Sequence, residues 1–80
     1  DLKTFVYPNP SNNTFNFELA GDDAAFTISV FDITGKLIKT CQNVAPNTIF
    51  TLGEDLKVGL YAVQISDGTK TELIKIIKAQ

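Results

Sequence analysis

The chain has 80 residues, a net charge of −2, a pI near 4.8, and apolar and charged fractions of 44% and 20%. That length supports one domain and one core, with no room for a scaffold, a cleft and a substrate pocket as separate features. The composition is that of a globular protein rather than a disordered one, and seven Lys spread along the chain without any Arg exclude the basic stripe of a nucleic-acid binder.

Period-two alternation between turn signals is the dominant pattern. Thr4 to Tyr7 is a β-prone run that ends at Pro8-Asn9-Pro10. Two prolines fix φ and remove donors, so an edge strand runs here into a rigid turn completed by Ser11-Asn12-Asn13. Thr14 to Leu19 follows, with Phe15, Phe17 and Leu19 sharing one face. Gly21-Asp22-Asp23 is a second turn. Ala25 to Phe31 alternates again, with Phe26, Ile28 and Val30 on the core face.

Asp32-Ile33-Thr34-Gly35 is a tight hairpin signal. Asp32 can accept from the amide two residues on, and Gly35 can take the positive φ of a bulged turn. Lys36 to Gln42 is the return strand, Asn43 to Asn47 with Pro46 a loop, and Thr48 to Leu52 a fifth strand. In the polar connection from Gly53 to Gly59, Leu56 is the apolar residue expected to tuck inward. Gly59 is read as a position whose conformation or close approach forbids a side chain. Leu60 to Ser66 aligns Tyr61, Val63 and Ile65, with Tyr61 as a core ring whose hydroxyl reaches the rim. Asp67-Gly68 is a two-residue turn signal, and Thr69 to Lys78 the last strand. About seven short strands without a substantial helix predict an all-β fold of two antiparallel sheets packed face to face.

Without His or Arg, and with Cys41 as the single cysteine, the chain lacks every Ser-His, Cys-His and thiolate-cluster constellation. Cys41 reads as a small buried hydrophobe. The adjacent pairs Asp22-Asp23 and Glu54-Asp55 diverge in exposed turns, and neither has the spacing of a calcium loop or of a glycosidase pair. No catalytic, cofactor-binding or metal-binding residue is assigned. Asn12-Asn13-Thr14 fits a glycosylation acceptor, and no apolar run is long enough to span a bilayer. Absence of Trp removes the flat platform of a carbohydrate-binding sandwich.

Three landmarks stand together. Val6-Tyr7-Pro8-Asn9-Pro10 opens the domain, and Val30-Phe31-Asp32-Ile33-Thr34-Gly35-Lys36 lies in the middle. Leu56 to Val63, with Gly59 and Tyr61, precedes the Asp67-Gly68 turn and a closing Lys75-Ile76-Ile77-Lys78 strand. In this order the chain resembles the type A C-terminal sorting domain of the type IX (Por) secretion system of Bacteroidetes. One departure is Leu56-Lys57-Val58, where family members often carry Leu-Pro-Ala. The resemblance implies an immunoglobulin-like β-sandwich over residues 1–80, the C-terminal piece of a larger secreted protein. It also implies that type IX translocon and sortase components are the partners, with an upstream cargo domain on the same chain. Export would then run through the periplasm to the cell surface or medium.

Tyr7, Pro8, Asn9, Pro10, Asp32, Gly35, Gly59, Tyr61, Lys75 and Lys78 are the candidate signature or recognition residues. The edge of Leu73 to Lys78 is the element a partner would read, with Lys75 and Lys78 setting charge register. A generic extracellular spacer or adhesion module is the alternative reading, with a carbohydrate-binding module behind it.

Overall fold

A strand with one apolar face must bury that face against another layer. The computed structural model describes residues 3–21 and 24–80 and meets this demand with seven strands and, among the described residues, no helix. The strands are β1 (Lys3–Tyr7), β2 (Phe15–Ala20), β3 (Phe26–Phe31), β4 (Leu37–Val44), β5 (Thr48–Leu52), β6 (Gly59–Ser66) and β7 (Thr71–Lys78). They form one three-stranded sheet, order β1-β2-β5, and one four-stranded sheet, order β4-β3-β6-β7, with every neighbouring pair antiparallel. The architecture is the expected β-sandwich of immunoglobulin type. Its fourth strand pairs with the third rather than with the fifth, unlike a constant-type immunoglobulin domain.

The inward alternation of β2, β3 and β6 builds the core. Phe15, Phe17 and Leu19 face Phe26, Ile28, Val30, Tyr61, Val63 and Ile65, and Ile76, Leu52, Val44 and Leu56 close its margins. Leu56 tucks inward as expected. Cys41 is half-buried, packed against the core rather than within it. The strand on which it lies bulges before its end: a register shift between β3 and β4 accompanies Asn43 at φ +59°, a conformation that Asn tolerates, and pairing resumes at Val44.

Turn chemistry sets the connections. The Asp32 carboxylate accepts from the Thr34 amide (2.9 Å), the Thr34 hydroxyl (2.6 Å) and the Lys36 amide (3.0 Å), while Gly35 stands at φ +87°. After β4, Asn47 donates its N–H to the Leu19 carbonyl (2.7 Å) and delivers the chain to the free side of β2. The last hairpin differs from its sequence reading. It centres on Gly68 and Thr69, and β7 begins at Thr71, because the Asp67 N–H pairs with the Lys70 carbonyl (3.1 Å). The Asp67 carboxylate meanwhile accepts from the Thr69 and Lys70 amides (2.9 and 2.7 Å). Asp22 and Asp23, the first of the two adjacent acidic pairs, lie outside the described residues.

Phe17 is fully buried whereas Phe5 on β1 is 61% exposed. Phe17→Ala is therefore expected to cost about 3–5 kcal/mol, and Phe5→Ala less than about 1 kcal/mol. Urea unfolding of the two variants checks this, and equal losses would contradict the assignment of faces.

Candidate recognition surface

No group of three metal-ligating side chains occurs among the described residues. The surface must therefore be read through its edges and faces. β7 lies at the end of the four-stranded sheet, with Thr71, Leu73, Lys75 and Ile77 on the outer face and Glu72, Ile74, Ile76 and Lys78 turned inward.

The proline turn is bound to this edge. Asn9 donates its Nδ2 to the Lys75 carbonyl (2.9 Å), and its Oδ1 accepts from the Ile77 amide (3.0 Å). Ser11 donates its backbone N–H to the Ile77 carbonyl (3.1 Å), and its carbonyl accepts from the Ala79 amide (2.8 Å). The segment that follows β1 in one sheet thus becomes a short parallel strand on the other, bridged at Ser11 and Lys78. The Asn9 backbone makes no hydrogen bond to β7, and its side-chain amide supplies both a donor and an acceptor in its place. Ser11 is buried and is held from its own turn, its hydroxyl donating to the Thr14 carbonyl (2.6 Å).

In an antiparallel ladder the two backbone groups of a residue point the same way, and the direction alternates along the strand. Lys75 and Ile77 point outward, so Leu73 and Thr71 do as well. The outward groups from Thr71 to the Lys75 amide carry no backbone partner among the described residues. The open edge is therefore the first half of β7, and the second half is covered. This narrows the Leu73 to Lys78 expectation.

The two lysines also separate. Lys75 is exposed on the outer face, whereas Lys78 is 5% exposed and its ammonium donates to the Gly53 carbonyl. Because Lys78 lies on an inward position, its charge is spent inside the domain and is not presented to a partner. Gly53 has to be glycine twice over. It stands at φ +114°, and a Cβ there would meet Phe15 Cδ1 at 2.7 Å. Sequence reading missed Gly53 and Ser11, since both act through residues more than twenty positions away.

Tyr61 buries its ring and donates its hydroxyl to the Lys57 carbonyl (2.7 Å), the tyrosine corner of immunoglobulin-type sandwiches. Gly59 is required by conformation (φ +154°) and not by close approach, since a Cβ would meet nothing nearer than Tyr61 Cε1 at 3.9 Å. Asp32 and Gly35 serve the hairpin. Tyr7 lies on the exposed face of β1 and donates to the Glu18 carboxylate, and that bond, with the charge of Glu18, raises the phenol above its ordinary value. Of the candidate residues, Asn9 meets Lys75 at the β7 edge, Asp32 of the β3–β4 hairpin lines the same hollow as Lys75, Tyr7 pairs with Glu18 on β2, and Lys78 turns inward to Gly53.

A family model described as the secretion system C-terminal sorting domain matches residues 5–79. The chain belongs to this family. It is a targeting family rather than an enzyme family. A solved structure of PorZ is similar to this sorting domain at 27% identity with a TM-score of 0.71, over 96% of this chain and 11% of that one. PorZ is described as an essential surface component of the type-IX secretion system of Porphyromonas gingivalis. No curated protein matches the sequence.

Two tests follow from these placements. Lys78→Ala leaves the Gly53 carbonyl without its buried donor and is expected to cost this sorting domain about 1.5–3 kcal/mol, against less than about 0.5 kcal/mol for Lys75→Ala. Chemical denaturation decides it, and equal costs would contradict the inward placement of Lys78. The second test concerns pH. The Thr34 hydroxyl, then the Lys36 and Thr34 amides, hold Asp32 below the ordinary carboxylate range, and the Lys70 and Thr69 amides do the same for Asp67. A lowered folded pKa adds stability above the unfolded value, about 3.9, and that contribution is lost as pH falls through the folded pKa. The Tm gap between the native chain and the Asp32→Asn, Asp67→Asn double variant should thus be full above pH about 4 and close below it. A gap that persists in stronger acid would contradict the turn assignment.

Proposed function

We propose that this chain is a type A sorting signal that ends a longer secreted polypeptide and directs it through the type IX outer-membrane translocon. The cargo crosses the periplasm, reaches the surface or the medium, and is released from the domain by a surface sortase. Membership of the sorting-domain family carries this reading, and the likeness to a PorZ chain supports it. A sandwich whose core is filled by its own side chains offers a partner shape, edge and charge. The open first half of β7, with Lys75 on its outer face, is the element we assign to recognition.

The spacer or adhesion reading predicts the same fold but no dependence on a secretion system. Fusing residues 1–80 behind a periplasm-directed reporter, in a type IX-competent host and in a translocon-deficient one, separates the two. Export in the competent host alone is expected, and export in both or in neither contradicts the proposal. In the competent host Lys75→Glu should lower export while the Tm of the isolated domain stays within about 2 °C. Unchanged export would remove Lys75 from the recognised surface.

A further inference from the structure

The two free ends of the four-stranded sheet are protected by different means. β4 carries lysine and a register shift, both ordinary devices against unwanted strand pairing. β7 has no register shift in its pairing with β6, and its protection comes from another part of the chain, the turn at residues 8–11.

That cover is unequal along its length. Ser11 is buried and anchored to the Thr14 carbonyl, but Pro8, Asn9 and Pro10 are exposed. The Asn9 end is held to β7 by its two side-chain hydrogen bonds, at the Lys75 carbonyl and the Ile77 amide. If the Asn9 side chain swings away, the Lys75 carbonyl and the Ile77 amide are freed, and the open edge lengthens from Thr71–Lys75 to a run that ends at the Ile77 amide. The side chains flanking this longer edge are Leu73, 69% exposed, then Lys75, then Ile77. Beside them an open hollow of about 390 Å³ is lined by Ile33, Leu60, Tyr61, Ala62 and Leu73, with both Asp32 and Lys75 as its charged groups.

The geometry points to Asn9 as a displaceable guard, and to the edge from Thr71 to Ile77 as an acceptor for an extended polypeptide strand with apolar, acidic and apolar side chains at alternate positions. Residues facing each other across a strand pair interact directly, so the apolar side chains would lie beside Leu73 and Ile77 and the carboxylate beside Lys75. Backbone pairing supplies the attachment, and the alternation supplies selectivity. The inference rests on the reading of β7 as the recognised element and adds to it the chemistry of the partner and the role of Asn9.

A synthetic heptapeptide tests it, with valine, glutamate and valine at positions two, four and six and threonine elsewhere, titrated into the isotopically labelled 80-residue chain. Asn9→Ala should bind this peptide about tenfold more tightly than the native chain, with the largest amide shifts at Leu73, Lys75 and Ile77. Replacing the peptide glutamate by lysine should abolish that gain. Asn9→Asp, which keeps an acceptor for the Ile77 amide but loses the donor to Lys75, should fall between the two and guards against misfolding of the alanine variant. Equal affinity of native and Asn9→Ala chains, shifts located elsewhere, or no binding by either would each overturn the inference. None of these measurements uses the secretion machinery, so failure here stands apart from failure of reporter export.

Discussion

Three hydrogen bonds from the segment 9–11 to the outer side of β7, and a fourth to Ala79 just beyond it, tie one sheet of this sandwich to the other. A two-layer β fold is held mainly by apolar burial between its inner faces, which fixes the distance between layers but leaves the margins unsealed. Here the chain leaves β1, crosses the margin as Asn9-Pro10-Ser11, and returns to the first sheet as β2. The same few residues therefore close one side of the body, satisfy the outward groups from the Lys75 carbonyl to the Ala79 amide, and decide which stretch of edge is left open. Lys78 works from within, its ammonium meeting Gly53 where the β5–β6 connection turns against Phe15. Both the open edge and the charge beside it are consequences of these contacts.

This arrangement suits a module whose role is to be recognised. Its core is filled with Phe, Leu, Ile and Val, its turns are satisfied by their own carboxylates, and the hollows beside Gly53 and beside Leu73 are open depressions. A domain of this size has little stability to spare, so alternation, turn chemistry and margin closure have to agree. What is left for a partner is a strand end flanked by Leu73 and Lys75 on one sheet face, together with a rigid proline corner.

Much of this was legible in the residue order. Alternation in Phe15 to Leu19, Phe26 to Val30 and Tyr61 to Ile65 shows the buried faces, since a period of two leaves no other way to hide three apolar side chains in a row of six. The Asp32 hairpin was legible because its hydrogen bonds are local, spanning two to four residues. The family resemblance came from landmarks that all lie within the matched residues 5–79. The last turn was displaced by one residue because Asp67 uses both its backbone and its carboxylate, so the strand cannot resume until Thr71. Lys78 reads as exposed in a run of Lys-Ile-Ile-Lys, yet it falls on the inward phase of β7 and finds an acceptor 25 positions away. Asn9 pairs with groups 66 and 68 positions along the chain, a relation that no local pattern encodes.

Amide hydrogen exchange along β7 of the unmodified chain tests the account most directly, because it reads the sealed and open halves of the edge in one experiment. The Ile77 and Ala79 amides should be protected together with the inward Glu72, Ile74 and Ile76, whereas the outward amides of Leu73 and Lys75 should exchange at rates near those of an unstructured peptide. Protection of Leu73 equal to that of Ile77, or free exchange at Ile77 and Ala79, would show that the margin is not closed by Asn9 and Ser11, and the assignment of the recognised edge would fall with it.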